Sequence, residues 1–112
     1  GGSNAGMLSS GQAIYAGQTL WSPGSSYKLT LQGDGNLLLL TAGGTPIWAS
    51  GTVGFPGSRL EMQSDGNLVL YDASGIPRWA TMTNYNPGAY LSVQDDSNLV
   101  VYSQLGAPLW AR

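Results

Sequence analysis

Neither cysteine nor histidine occurs in the sequence. The first absence removes disulfides, thiolate nucleophiles and sulfur-ligated zinc, and it leaves the redox compartment without a signature. The second removes the commonest general base and the commonest metal ligand, so a catalytic reading starts at a disadvantage. Charge is scarce too: 9% of residues are charged, the formal net charge is −2, and the bases are Lys28, Arg59, Arg78 and Arg112. So few cations cannot track a phosphate backbone, which argues against nucleic acid as a partner. No apolar run approaches the ~20 residues that span a bilayer, so membrane insertion is not expected. The opening GGSNAG lacks the basic and apolar regions of a signal peptide and reads as a tag remnant, residues 1–6, ahead of mature protein. No stretch shows convincing helical periodicity.

What the chain does have is 17 glycines and 10% aromatic residues, which with so little charge describes a turn-rich β protein rather than disorder. At 112 residues it is a single domain, 1–112. Self-comparison finds three copies of one unit. Gln32, Gln63 and Gln94 fall 31 residues apart, as do Asp34, Asp65 and Asp96, and Asn36, Asn67 and Asn98. The same shift superposes GTPIW, GIPRW and GAPLW, ending at Trp48, Trp79 and Trp110. The copies run over roughly 20–50, 51–81 and 82–112, with an added N-terminal strand region at 7–19.

Within a copy, alternating runs flank Asp-Gly, a strong hairpin signal, and a second turn leads through proline into a short strand carrying the tryptophan. The third copy has Asp96-Ser97 instead, which puts a side chain where the turn wants left-handed backbone. Each copy offers about three strands, and Ile14, Tyr15, Leu20 and Trp21 add one or two that complete one sheet. Three such units suit a closed pseudo-threefold prism or barrel better than an open stack. Leu29, Leu31, Leu37, Leu60, Met62, Leu68, Leu91, Val93 and Leu99 share one parity and are expected inside; the three tryptophans should meet near the pseudo-threefold axis.

The opposite parity carries chemistry. Gln63, Asp65, Asn67, Val69 and Tyr71 present a carboxylate acceptor, two amides, a methyl pair and a phenol together. That set suits several neighbouring sugar hydroxyls beside the C–H face of a ring. A plainer account makes Asp and Asn turn residues and Gln and Tyr ordinary surface. A glycosidase would need two carboxylates ~5–10 Å apart, and one motif Asp per copy on threefold-related turns does not provide them. Calcium wants six to eight oxygens, several of them carboxylate, so no metal or other cofactor is expected.

QSDGNLVLY and QDDSNLVVY match the Gln-x-Asp-x-Asn-x-Val-x-Tyr signature of the bulb-type, or monocot, mannose-binding lectins, and the resemblance extends over nearly the whole chain. It implies an all-β, β-prism II fold: three tandem repeats forming three antiparallel sheets about a pseudo-threefold axis. It also implies one mannose per motif. Asp and Asn would hold the 2-hydroxyl, Gln the 3-hydroxyl and Tyr the 4-hydroxyl, with Val against the ring carbons. Carried over, one mannose site is Gln63, Asp65, Asn67, Val69 and Tyr71, and another is Gln94, Asp96, Asn98, Val100 and Tyr102. The first copy has Gln32, Asp34 and Asn36 but Leu38 and Leu40, and is expected to be weak or dead. The family resemblance further implies a non-catalytic, secreted lectin for mannose or mannose-containing glycans. The alternative is an attachment or bacteriocin-like targeting module with little free-mannose binding. Plant members often carry a disulfide whose first cysteine sits where Gly35 stands, so its absence points to a non-plant origin. Relatives often exchange C-terminal strands, which makes a homodimer through the strand of Trp110 a further expectation.

Overall fold

A computed structural model describes residues 6–112, and no helix occurs among them. Twelve strands form three four-stranded antiparallel sheets. Three short strands come first: β1 (Met7–Leu8), β2 (Ala13–Tyr15) and β3 (Thr19–Trp21). The first copy follows as β4 (Tyr27–Leu31), β5 (Leu37–Thr41) and β6 (Pro46–Ala49). The second is β7 (Arg59–Met62), β8 (Leu68–Tyr71) and β9 (Pro77–Ala80), and the third β10 (Tyr90–Val93), β11 (Leu99–Tyr102) and β12 (Pro108–Ala111). The sheets run β3-β4-β5-β6, β2-β7-β8-β9 and β1-β10-β11-β12.

The N-terminal strands therefore do not complete one sheet, as the sequence suggested, but one edge of each. Ile14 faces Leu60 in the second sheet, Leu20 faces Leu29 in the first, and Leu8 faces Leu91 in the third. Gly6, assigned by sequence to the tag-like segment, belongs to the fold: it is buried with φ +74, and its carbonyl accepts the Val93 amide at 2.7 Å. Residues 1–5 of that segment lie outside the described residues.

Alternation puts every second residue of the central strands inside. Leu29, Leu31, Leu37, Leu60, Met62, Leu68, Leu91, Val93 and Leu99 have no exposed surface, and Leu39, Leu70 and Val101 join them. At ~1.5–3 kcal/mol for each large side chain buried, this interior is the main source of stability in a chain without a covalent staple. Trp48, Trp79 and Trp110 come one from each sheet and meet edge to face, with centroids 5.6, 5.9 and 5.5 Å apart. Each such pair adds about 0.5–1.5 kcal/mol beyond area burial, and the local threefold axis passes between the rings. Trp21, outside the repeat register, lies 42% exposed on β3 with Lys28 Nζ 5.1 Å from its ring centroid. Strand β12 pairs with β11 of its own chain through Val100↔Ala111 and Val101↔Trp110.

The three prolines of the Gly-x-Pro-x-Trp elements mark strand starts, as expected, and each of them faces a register shift: Pro46 opposite Leu40, Pro77 opposite Tyr71 and Pro108 opposite Tyr102. A bulge at that place re-aims the side chain there. The turn before Pro77 is held by Asp72, whose carboxylate accepts from the Ile76 and Ser74 amides and from Arg78 Nε. The Ile76 amide above all, with Arg78 and Ser74, holds the Asp72 carboxyl below the ordinary carboxylate range.

Candidate carbohydrate site

The polar cluster of each copy is built on its first hairpin. In the second copy the Gln63 amide donates to Asn67 O at 2.9 Å and the Gly66 amide to Gln63 O at 3.0 Å, which closes a three-residue loop with Gly66 in left-handed backbone at φ +93. The site is therefore not one strand face. Gln63, Asp65 and Asn67 belong to the connection, and only Val69 and Tyr71 lie on a strand. Asp65 serves the turn, as the plainer account supposed: its Oδ1 accepts the Asn67 amide at 2.9 Å, as Asp34 does for Asn36 at 3.0 Å and Asp96 for Asn98 at 2.9 Å. A carboxylate has about four acceptor positions, so this bond leaves Asp65 able to accept from a ligand as well.

The far end of the cluster is joined to it directly. Gln63 Nε2 donates to the Tyr71 hydroxyl. In the third copy the amide of Gln94 accepts from Tyr102 OH at 2.5 Å and donates to both carboxylate oxygens of Asp96 at 3.2 Å. In the first copy Leu40 stands at the tyrosine position, and Gln32 has no such partner. Val69 and Val100 are each only 3% exposed, so they floor the cluster rather than wall it. An open cleft of about 400 Å³ adjoins the second cluster, lined by Gly11, Glu61, Met62, Gln63, Ser64 and Asp65.

Several supports were not read from the sequence. The linkers after the first and second copies fold back over their hairpins. Thr83 Oγ1 donates to Gly66 O at 2.6 Å and its amide to Asn67 Oδ1 at 3.2 Å; Thr52 does the same for Gly35 and Asn36 at 2.6 and 3.3 Å. With its oxygen engaged, the Asn67 side chain keeps its Nδ2 donors for other partners. The 31-residue coincidence of Thr52 with Thr83 was the available signal. In the third copy Asn98 Oδ1 accepts the amide of Leu99 at 2.9 Å. Arg112 Nε donates to Ser97 O at 2.8 Å, the carbonyl that corresponds to Gly66 O. The tyrosines also have different neighbours: Arg59 lies 4.8 Å from the Tyr71 ring centroid, whereas Tyr90 stacks on Tyr102 at 5.5 Å.

At Gly35 and Gly66 the linkers leave no room for a side chain. A Cβ on Gly35 would lie 2.3 Å from Phe55 O, because the linker occupies that space.

Three antiparallel sheets around a pseudo-threefold axis, each with a polar cluster at its first hairpin, define a lectin of the β-prism II type. No family model and no curated protein matches the chain. Solved structures do. A lectin from Marasmius oreades is 30% identical with a TM-score of 0.88, over 96% of this chain and 89% of that one. A monomeric monocot mannose-binding lectin from Gastrodia elata is 36% identical (TM-score 0.85, 94% of each chain). The Polygonatum cyrtonema lectin, solved with a monomannoside, is 40% identical (TM-score 0.80, 94% of this chain and 93% of that one). The chain belongs to the bulb-type, monocot mannose-binding lectin family and is a non-catalytic protein.

Proposed function

We propose that this chain binds mannose and mannose-containing glycans at two sites, Gln63–Tyr71 and Gln94–Tyr102, and that its first copy is degenerate. The observation that carries the reading is the glutamine–tyrosine pair beside the Asp–Asn corner, present in the second and third copies and lacking in the first. A carboxylate acceptor, amide donors and a phenol around a methyl floor match the hydroxyls and C–H face of one hexose and offer no cation to an anionic ligand. The relatives solved with mannosides support the choice of sugar.

Calorimetric titration with methyl α-mannoside tests it. Saturation at two sugars per chain, unchanged in excess chelator, is the expected result. A chain that gives no saturable binding is instead the attachment module of the alternative reading. Leu40→Tyr should add a third, weaker site, because a phenol opposite Gln32 restores one hydrogen bond of ~0.5–1.5 kcal/mol, up to about tenfold in affinity. A stoichiometry that stays at two shows that more than the phenol is missing there.

Glycans of this kind are met outside the cell, where we place the protein; detection confined to cytoplasm would contradict that. Repeated weak sites gain from avidity on branched glycans. A homodimer by C-terminal strand exchange would double the valence, and a sedimentation mass of one chain removes the doubling.

A further inference from the structure

The linker between the second and third copies departs from its counterpart at two places that cost the fold conformational energy. The first linker turns through left-handed backbone on Gly51 (φ +76) and Gly54 (φ +102). Thirty-one residues on, the second makes the same turns on Met82 (φ +58) and Tyr85 (φ +69). A Cβ in this region crowds the following carbonyl, and large side chains rarely adopt it. Burial offers no compensation, since Met82 is 77% and Tyr85 91% exposed.

These two strained apolar side chains bracket Thr83, the residue that clamps the second cluster through Asn67 Oδ1 and Gly66 O. On the far side of Tyr85 the Asn86 amide donates to Asp65 O at 3.0 Å. Met82 and Tyr85 thus flank, along the linker, the contacts that tie it to the Asp65–Asn67 corner. Between and beside them stand Asn84 and Asn86, and the stretch from Thr81 to Pro87 carries no charge. A phenol ring and a thioether among amides is a composition suited to the C–H face and hydroxyl edge of a pyranose.

We propose that Met82 and Tyr85 form a second sugar subsite, which takes the next hexose ring of a glycan whose first ring lies in the Gln63–Tyr71 cluster. The subsite rests on the lectin reading of that cluster and adds oligosaccharide preference to the second copy alone. The first copy, with glycines in its linker, has no equivalent. A protein partner is disfavoured because two side chains fall far short of the ~800 Å² a side that stable protein interfaces bury.

The test uses full-length chain carrying Asn98→Asp, so that the second site reports alone, with and without Met82→Gly and Tyr85→Gly. Left-handed backbone accepts glycine, so these substitutions should leave the thermal midpoint unchanged or raised. Titration with methyl α-mannoside should give one affinity in both proteins. An α-linked dimannoside should bind more tightly than the monosaccharide before the glycine substitutions and lose about three- to tenfold after them, the size of one aromatic contact. Equal dimannoside affinity in the two proteins, with monosaccharide binding intact, overturns the subsite and leaves the lectin reading standing. No monosaccharide binding in the wild-type chain overturns both. Self-association that the glycine substitutions abolish assigns the two side chains to a second copy and also overturns the subsite.

Discussion

Asn67→Asp and Asn98→Asp, made separately, each remove one of the two expected mannoside sites, and together they abolish saturable binding. Aspartate keeps the oxygen that accepts from Thr83 in one copy and from Leu99 in the other, so both hairpins should stay folded. What it removes is the Nδ2 donor, and it sets a second carboxylate beside Asp65 or Asp96. A neutral amide-to-hydroxyl hydrogen bond is worth about 0.5–1.5 kcal/mol, so losing it where a second carboxylate now crowds the corner weakens a site by about tenfold or more. For a weak monosaccharide site that is loss below detection. Titration of the four proteins side by side gives the answer, and circular dichroism checks the fold. Residual binding in the double variant would mean that the first copy works without a tyrosine.

The second large effect is on stability. Gly66→Ala places a Cβ 2.2 Å from Asn86 O and 2.7 Å from Asn86 C, in backbone at φ +93. The obstacle is main chain, so the linker must leave the hairpin, taking the Thr83 clamp with it. We expect a loss of more than about 3 kcal/mol and a fall in thermal midpoint of about 10 °C or more. The third copy supplies the opposite arm: Ser97 already sits at φ +75, and Arg112 reaches its carbonyl without crowding the turn. Ser97→Gly should therefore be neutral or stabilising by up to about 1 kcal/mol. If Gly66→Ala melts within a degree or two of the parent, the linker does not press on the turn and is not what holds Asn67.

The repeat made most of this architecture readable. A 31-residue shift places the core leucines, the tryptophans and the hairpins at once, because each position is seen three times and the alternation is strict. The strain at Ser97 was legible for the same reason, as a departure from two glycines. The N-terminal strands were not: two or three residues are too short for a period-two pattern to name a partner, and Ile14 and Leu20 look alike although they join different sheets. Within the site, residue types were legible and their supports were not. The hold of Thr83 on Asn67 crosses from a linker to a hairpin, a contact set by how the chain leaves β9 rather than by any local pattern. The near-complete burial of Val69 and Val100 likewise depends on neighbouring strands.

The route of the N-terminal segment settles how the three copies become one molecule. Each copy can form its own hairpin from near neighbours in sequence, but each sheet takes its fourth strand from the stretch Met7 to Trp21, and Met7 pairs as far away as Ser92. Such distant pairings carry the loop-closure cost of the whole chain, which is met only once the intervening copies are in place. The repeats supply the likeness between the sheets. To the tryptophan triad and the shared interior, the one segment that is not repeated adds a further source of cooperativity, since its departure would bare an edge of all three sheets together.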